Sequence, residues 1–383
     1  MGALHYGTSP WERSHEESLR LNLEEVARLS GVSRSTVSRV INADPRVSET
    51  ARSRVLAVIE QHNFQPNAAA RSLASRRTRM IGLRIPGEVG FIFSDPYFPE
   101  LVQGVVDACN ELDYGLMLMM EPENDPASAE RIYQRVIRGR HIDGVILSTS
   151  IIGDPFAGRV AVDGMPAVMI GRHPTLATVD IDNRESARGA VSHLIDHGYR
   201  RIAHIRGPHT IAAANERADG YLIALNEAGI PIDDSLIGQG DFSENSGAMA
   251  MTALLDRPAG RPEAVFAGSD TMAAGALRTI DQLGLSVPAD IAVIGFDGLR
   301  HQLQRHPSLS TVSQSISGLG RNAVSLLIDR IAEPDAPAPH VYLTTQLVLR
   351  GSCGCGDSVT EFASTRSRIG SPSDALVATA DAS

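Results

Sequence analysis

The chain contains no lysine, so that all 35 of its basic residues are arginine. Arginine content alone is therefore weak support for phosphate binding. The net charge of -10 at pH 7 excludes a uniformly basic protein that binds polyanions over its whole surface. The charge is unevenly placed, however: residues 1–80 carry 12 Arg against 8 Asp and Glu, and the rest of the chain carries a net charge of -14.

Cysteine is also scarce. Cys109, Cys353 and Cys355 are too few for a disulfide framework, and the Cys353-Gly-Cys355 pair lacks the further Cys or His ligands that a structural zinc needs. We therefore expect reduced thiols and no metal. No apolar run is long enough to span a bilayer, and residues 1–20 lack the apolar core of a signal peptide, so we expect a cytoplasmic protein.

The length of 383 residues exceeds that of one typical domain. A composition of 43% hydrophobic and 21% charged residues is typical of globular proteins with sizeable cores. We expect two or three folding units.

Residues 23–42 encode two short amphipathic helices joined by a Gly-Val-Ser turn. The two apolar stripes consist of Leu23, Val26, Ala27 and Leu29 and of Val32, Val37, Val40 and Ile41. They recur at helical spacing and can pack together. Gly31 permits a sharp turn, and Ser33 is placed to cap the second helix. The pattern predicts a helix-turn-helix; the alternative is an ordinary helical hairpin with a solvated polar face.

The outward side of the second helix carries Arg34, Ser35, Thr36, Ser38, Arg39 and Asn42. Arginine can read guanine edges in the major groove, while hydroxyl and amide groups hold phosphates. A third helix is predicted from Ser48, its cap, to about His62. Its apolar residues Val55, Leu56, Val58 and Ile59 can close a three-helix core.

Residues 68–75, Ala-Ala-Ala-Arg-Ser-Leu-Ala-Ser, have high helix propensity but little bulk for a core. In isolation this segment should be largely unfolded.

From Met80 onward, short apolar runs alternate with amphipathic helices, which predicts two lobes with parallel sheets. The predicted strands are Ile81–Ile85, Leu116–Met120, Val145–Leu147, Ala167–Ile170, Arg201–Ile205, Ala264–Phe266, Ile291–Gly295 and Val341–Leu349. The predicted helices are 98–113, 127–139, 185–198, 215–228, 244–256, 271–284 and 317–331. Residues 357–383 lack apolar periodicity and are predicted to be disordered.

The order of these parts resembles the lactose-repressor and galactose-repressor family of transcription factors over about residues 21–356. The most specific segments are Val26-Ala-Arg-Leu-Ser-Gly-Val-Ser33, Thr36-Val-Ser-Arg-Val-Ile-Asn42, Pro66-Asn-Ala-Ala-Ala-Arg-Ser-Leu-Ala74, Ala267-Gly-Ser-Asp-Thr-Met272 and Ile294-Gly-Phe-Asp297. The resemblance implies an all-α helix-turn-helix domain followed by an α/β, periplasmic-binding-protein-like body. The implied parts are an N-terminal extension (1–20), a DNA-binding domain (21–66), a hinge helix and linker (67–79), a body (80–356) and a tail (357–383).

The resemblance also implies a homodimeric repressor on a palindromic operator. Its implied DNA contacts are Leu23, Ser33, Arg34, Ser35, Thr36, Ser38, Arg39, Asn42, Asn67, Ala70 and Leu73. Arg34, Ser35 and Arg39 would read bases, and Glu24 stands where the family usually has an aromatic residue. Leu73 from two hinge helices can wedge into a minor-groove step and kink the DNA, or it can pack on its own protomer.

A cleft between two such lobes binds ligands at the carboxyl ends of strands. Asp297 follows a predicted strand and can accept hydrogen bonds from sugar hydroxyls, and Arg217 can donate to ligand oxygens. By resemblance both bind a small-molecule effector, here a carbohydrate, with Ser269 as a further polar contact. Tyr97, Phe98 and Phe242 would supply apolar faces for a pyranose. The alternatives are surface ion pairs for the charged residues and core positions for the aromatics.

Two other classes of protein are alternatives. A sugar-binding transport protein would share the two lobes but would have no use for residues 21–75. An enzyme is disfavoured because the chain has no Gly-Lys-Ser/Thr phosphate loop, no Gly-x-Ser-x-Gly elbow and no His-Glu-x-x-His pair. Gly318-Leu-Gly-Arg-Asn-Ala323 fits a dinucleotide fingerprint only superficially, since it opens a late helix. We therefore expect no cofactor.

Overall fold

A computed structural model of the chain describes residues 21–41, 44–62, 64, 77–87, 89–121, 125–257, 260–299, 307–355, 361–363 and 369–370. The chain divides into two compact units, Met1–Thr78 and Arg79–Ser383. None of the described helices is long and apolar enough to cross a membrane.

The first unit contains three short helices, α1 (Leu23–Ser30), α2 (Arg34–Ile41) and α3 (Glu49–Gln61). All three pack against one another. Their shared core consists of Val26, Ala27, Val37, Val40, Val55 and Phe64. The predicted helix-turn-helix with a third supporting helix is therefore confirmed.

The helix ends follow the predicted capping. Gly31 ends α1 in the left-handed conformation, with φ of 66°. The Ser33 hydroxyl accepts a hydrogen bond from the Thr36 amide at 3.2 Å, and the Ser48 hydroxyl accepts one from Ala51 at 3.4 Å. These bonds satisfy backbone amides that a helix start leaves without an intrahelical partner.

Two leucines assigned to this core from the sequence lie outside it. Leu29 is 41% exposed and Leu56 is 49% exposed. Phe64, which follows α3 and is buried, closes the core. The sequence pattern put both leucines on the apolar sides of their helices. The core between three such short helices is small, however, and only the residues at its centre are buried.

The second unit contains two seven-stranded sheets among the described residues. The strands of the first are β1 (Met80–Pro86), β2 (Gly115–Glu121), β3 (Gly144–Leu147), β4 (Ala167–Ile170), β5 (Ala177–Ile181), β11 (His340–Leu343) and β14 (Ile369–Gly370). Their order in the sheet is β14-β11-β5-β4-β3-β1-β2. All pairings are parallel except that of β14.

The strands of the second sheet are β6 (Ile202–Arg206), β7 (Ile237–Gln239), β8 (Ala264–Ala267), β9 (Ala292–Asp297), β10 (Ser310–Ser313), β12 (Gln346–Val348) and β13 (Glu361–Ala363). Their order in the sheet is β13-β12-β10-β9-β8-β6-β7. The pairings of β12 with β10 and β13 are antiparallel, and the others are parallel. The predicted fold class, with two parallel-sheet lobes, is confirmed.

Helices connect the parallel strands. They are α4 (Val89–Ser94), α5 (Tyr97–Glu111), α6 (Pro126–Ile132, continued by a π-helix Tyr133–Arg138), α7 (Pro155–Val162), α8 (Asn183–Asp196), α9 (Ala212–Glu227), α10 (Glu244–Leu255), α11 (Asp270–Gln282) and α12 (Ile316–Ala332). Short 3-10 helices lie at Asp234–Leu236 and Gly351–Cys353.

Among the described elements, the chain passes between the sheets four times. It leaves the first sheet after β5, returns to it after β10 along α12, which packs on β3, β4 and β5, leaves it again after β11 and returns to it for β14. These crossings tie the two lobes together.

The strand predicted over Val341–Leu349 is wrong as a single element. Its first half, β11, belongs to the first sheet, and its second half, β12, belongs to the other. Buried Thr345 lies between them, and its hydroxyl bonds to Ser186 of α8 at 2.7 Å. A continuous apolar pattern cannot reveal which sheet each half joins.

The disorder predicted for residues 357–383 does not extend to two short segments. β13 and β14 add to sheet edges by antiparallel backbone pairing. Edge strands offer unpaired amide and carbonyl groups to any extended segment, so this pairing needs little apolar periodicity.

Candidate functional sites

The outward side of α2 presents the predicted polar surface. Ser33, Arg34, Ser35 and Arg39 are exposed, and Thr36 and Ser38 are partly buried. The apolar residues Val37 and Val40 face the core. A helix so arranged can lay its polar side in a major groove while the core stays closed.

The hydroxyl groups at the start of α2 bond to each other. Ser33 Oγ lies 2.8 Å from both Ser35 Oγ and Thr36 Oγ1. These bonds hold three hydroxyls together beside the N-terminal amides of α2. Hydroxyls and helix amides are groups that contact DNA phosphates.

Arg34 already has an acidic partner. Its guanidinium lies 3.5 Å from the carboxylate of Glu24, and the two side chains are 67% and 72% exposed. An exposed pair of this kind is weak and can be exchanged for another partner. Any anion that approaches Arg34 would therefore compete with Glu24 for its guanidinium.

Leu23 is partly buried against the three-helix core, so its predicted DNA contact is limited to the portion that remains exposed. Asn42, Asn67, Ala70 and Leu73 lie outside the described residues.

The second unit contains an open cleft between its two sheets, with about 1130 Å³ of empty space including the mouth. All six predicted effector residues, Tyr97, Phe98, Arg217, Phe242, Ser269 and Asp297, line it. The carboxyl ends of strands from both sheets meet there, as in other open α/β sheets that bind ligands.

Arg217 lies on α9 and reaches the floor of the cleft. Its Nη1 donates to the carbonyl of Gly268 at 2.6 Å and to Asp297 Oδ1 at 3.3 Å, and its Nε donates to Asn183 Oδ1 at 2.9 Å. The guanidinium also lies 3.7 Å from the centre of the Phe296 ring. Arg217 is buried, so it is not the surface ion-pair partner that the sequence left open.

Asp297 ends β9 and is held in an unusual backbone conformation, with φ of 115°. Its Oδ1 accepts hydrogen bonds from Gln314 at 2.8 Å and from Arg217. Burial raises the pKa of Asp297 to about 6 although Arg217 opposes the shift. Strained backbone is often kept where a side chain must point into a site.

Asp270, at the start of α11, supports Asp297 from behind. Its Oδ2 accepts bonds from the amides of Gly298 and Leu299 at 2.9 and 2.8 Å, and its Oδ1 accepts one from the Thr311 hydroxyl at 2.6 Å. Burial, reinforced by the charge of Asp297, raises the pKa of Asp270 to about 8. Asp270 thereby shapes the turn that directly follows Asp297.

Two further carboxylates line the cleft with oxygens that have no hydrogen-bond partner among the described residues. These are Asp180 Oδ2 and Glu216 Oε2. Burial, with a contribution from Glu216, raises the pKa of Asp180 to about 7. Arg172 pairs with the other oxygen of Glu216. Buried acceptors without donors are costly, and a ligand can relieve that cost.

The aromatic residues border the cleft on both sides. Tyr97 and Phe98 are partly buried and meet edge to face, with ring centres 5.4 Å apart. Phe242 has φ of 73°, and its ring lies against Gly207 so closely that an added Cβ would be 2.4 Å from the ring. Gly207 is therefore needed for the position of Phe242.

Ser269 is buried and caps α11, because its hydroxyl accepts a bond from the Met272 amide at 3.1 Å. It lines the cleft but has this structural role as well.

Several polar cleft residues were not singled out from the sequence, among them Asp180, Asn183, Glu216 and Gln314. Glu216 directly precedes Arg217 and could have been found by that adjacency. Asp180 lies on β5, a strand whose mixed Ala-Thr-Val-Asp-Ile sequence lacks the long apolar run used to find the others.

Comparison with known proteins places the chain in a family. Residues 22–67 match the bacterial regulatory proteins of the lacI family, and residues 191–353 match the periplasmic binding protein-like domain. The HTH-type transcriptional regulator CelR of Thermobifida fusca is 37% identical over 342 residues, which cover 88% of this chain and 99% of CelR. The chain belongs to the LacI family. It is thus a DNA-binding regulator of transcription.

Other LacI-family proteins extend this likeness. The ribose operon repressor of Escherichia coli K12 is 38% identical over 86% of this chain and 99% of its own. The solved CelR–cellobiose complex superimposes with a TM-score of 0.68 at 36% identity, covering 87% of this chain and all of that one. The solved lac repressor dimer bound to operator and an anti-inducer superimposes with a TM-score of 0.76 at 25% sequence identity. The match covers 87% of this chain and 99% of that one.

Proposed function

We propose that this LacI-family protein is a repressor that binds a palindromic operator as a homodimer and releases or tightens its hold when a neutral sugar binds in the cleft. The observation that carries the proposal is the buried Arg217–Asp297 pair at the floor of a cleft that also contains unpaired acceptors.

The charges around the cleft favour a ligand rich in hydroxyl donors. Asp95, Asp180, Glu216, Asp241 and Asp297 line it. The two arginines in the lining, Arg172 and Arg217, each pair with a carboxylate. An anionic ligand would meet uncompensated acidic groups, whereas sugar hydroxyls can donate to them.

The named relatives agree with this ligand class. CelR is solved with cellobiose, and another relative is a ribose repressor. Tyr97, Phe98 and Phe242 provide the apolar faces on which the C–H side of a sugar ring can pack.

For the DNA, we propose that Arg34, Ser35 and Arg39 read bases, and that Ser33, Thr36, Ser38 and Asn42 hold the backbone. Leu23 would contact the same groove. The exposure of Arg34 and Arg39 supports this division, because base edges lie deepest in the groove and need long side chains.

We further propose that residues 67–79 form a hinge in which Asn67 and Ala70 contact the minor groove and Leu73 wedges a base step. Its ordering would be coupled to DNA binding and to the partner subunit, because the segment has little bulk for a core of its own.

The switch follows from differential binding. A sugar that contacts both lobes binds the two lobe arrangements with different affinity, and it can shift the equilibrium only by that difference. The segments that cross between the two sheets can act as hinges, so that the angle between the lobes changes without unfolding either lobe.

The test is a thermal-shift screen of the full-length protein with neutral mono- and disaccharides, including cellobiose and ribose, beside sugar acids and sugar phosphates. A specific ligand raises the melting temperature by mass action. The hit is then added to an operator-binding assay. We expect a neutral sugar to stabilise the protein and to change operator affinity, and recovery of that sugar unchanged would separate a regulator from an enzyme. A hit confined to sugar acids or phosphates would contradict the proposed ligand class.

A further inference from the structure

Two histidines and two cysteines that are far apart in the sequence meet at the C-terminal end of α8. His193 and His197 occupy one side of the helix end, and Cys353 and Cys355 come from the segment after β12. Cys355 Sγ lies 3.3 Å from His193 Nε2 and 3.2 Å from His197 Nε2. The Cys353 thiol lies 3.2 Å from Cys355 Sγ.

The ligand atoms of His193, His197 and Cys355 all lie within 4.8 Å of one another. Their convergence was not visible in the sequence, where more than 150 positions separate the cysteines from the histidines. The expectation that the Cys353-Gly-Cys355 pair lacks further ligands is therefore wrong, because the fold supplies two histidines.

The cysteine segment is firmly held in this place. The Ser352 hydroxyl donates to the carbonyl of Val293 at 2.6 Å and accepts from the amide of Ser310 at 2.8 Å. Cys353 is completely buried, and Gly354 adopts φ of 95°, which turns the chain back toward the helix. A segment anchored to the sheet on one side can present two thiols in a fixed position.

The histidines are also set by their surroundings. His193 lies in the last turn of α8 and His197, four positions later, caps its end; their ring centres are 4.5 Å apart. The ring of Tyr199 stacks on His197 at 6.5 Å. Two histidines at this spacing are a common way for a helix to bind zinc.

We propose that His193, His197, Cys353 and Cys355 bind one zinc ion that fastens the segment after β12 to α8. Two thiolates and two imidazoles are a donor set typical of structural zinc. Bonds of about 2.3 Å to sulfur and about 2.0 Å to nitrogen place tetrahedral ligands roughly 3.3 to 3.8 Å apart. Cys355 Sγ lies 3.2 to 3.3 Å from the ligand atoms of the other three residues, close to this range.

The ion would join parts of the second unit that matter for the cleft. α8 begins at Asn183, which accepts the Arg217 Nε bond, and the cysteine segment rests on β9, which ends at Asp297. The zinc site is nevertheless distinct from the sugar site, because none of its four residues lines the cleft.

The test uses full-length protein purified under reducing conditions, with its metal measured by mass spectrometry and then replaced by Co²⁺ after chelator treatment. We expect one equivalent of zinc per chain and, with Co²⁺, a thiolate charge-transfer band together with tetrahedral d–d bands. Cys355→Ser and His197→Ala should each lose the bound zinc, and the melting temperature of these variants should no longer respond to chelator.

Matched controls are Cys109→Ala, a buried cysteine elsewhere, and His141→Gln, an exposed histidine elsewhere; both should retain one zinc and the Co²⁺ spectrum. Two results would overturn the proposal. One is reduced wild-type protein that binds neither Zn²⁺ nor Co²⁺ at these thiols. The other is a Cys353–Cys355 disulfide that persists in the reducing buffer and blocks both metals.

Discussion

Arg217 Nη1 lies 3.3 Å from Asp297 Oδ1, although 80 positions separate the two residues in the chain. Both are buried, and each has other hydrogen-bond partners: Asn183 and Gly268 for Arg217, and Gln314 for Asp297. The pair thus joins α9 to the end of β9 within the lining of the cleft.

The first prediction concerns stability. Arg217→Met should lower the free energy of unfolding by about 3 to 5 kcal/mol, because it leaves the Asp297 carboxylate buried without its cation. The double variant with Asp297→Asn should lose less than the sum of the two single changes. Urea denaturation of the three variants checks this, and strict additivity would show that the pair is not coupled.

The second prediction separates ligand response from DNA binding. Asp297→Ala should leave operator affinity in the absence of effector within a few-fold of wild type but abolish the effect of the sugar, because the residue lies in the cleft. Fluorescence anisotropy with labelled operator, with and without the sugar identified by the screen, measures both quantities. A normal sugar response in this variant would rule out the proposed site.

The third prediction uses two glycines. Gly207→Ala should weaken sugar binding by roughly tenfold or more, because its Cβ would lie 2.4 Å from the Phe242 ring and displace it. Gly189→Ala, in the interior of α8 with open space around it, should raise stability by about 0.5 to 1 kcal/mol and leave sugar affinity unchanged. Calorimetric titration and thermal denaturation of both variants provide the measurements, and equal sugar affinity in the two would refute the role of Phe242.

The fourth prediction concerns Arg34 and Glu24, whose charged groups lie 3.5 Å apart. Arg34→Ala should lose about 1 to 3 kcal/mol of discrimination between the operator and a mutated half-site. Glu24→Gln should instead strengthen binding to all duplexes by a few-fold, because it removes a competing negative charge and frees the guanidinium. Titrations at several salt concentrations distinguish these results; a uniform loss for Arg34→Ala on both duplexes would mean that it contacts phosphate only.

The fifth prediction concerns pH. The pKa of Asp270 is raised from 3.8 to about 8, so the folded protein holds a proton that the unfolded chain releases. Asp270 therefore reduces stability progressively as the pH rises from about 4 to about 8. Asp270→Asn keeps the hydrogen-bonding shape, since its amide oxygen can accept from Gly298 and Leu299 while its nitrogen donates to Thr311. The Asp270→Asn variant should therefore lose less stability than the wild type as the pH rises from about 4 to about 8. Denaturant titrations at several pH values measure this, and the same pH dependence in both proteins would contradict a buried protonated Asp270.

The sequence by itself determined the features that depend on neighbouring residues. The three helices of the first unit, their caps at Ser33 and Ser48 and the left-handed turn at Gly31 follow from spacing and local hydrogen bonding. The alternation of buried strands with helices indicated the two lobes for the same reason. The predicted strand Ile291–Gly295 indicated Asp297 as a cleft residue, because ligands of such folds bind at the carboxyl ends of strands.

Only the tertiary structure decided which distant residues meet. It divided Val341–Leu349 between two sheets, brought the unpaired oxygens of Asp180 and Glu216 into the cleft, and placed Cys355 beside His193 and His197. None of these leaves a local pattern, because contacts between residues distant in the sequence depend on the order and register of strands. The apolar periodicity of each segment is compatible with many such arrangements, and the packing of the whole unit selects one of them.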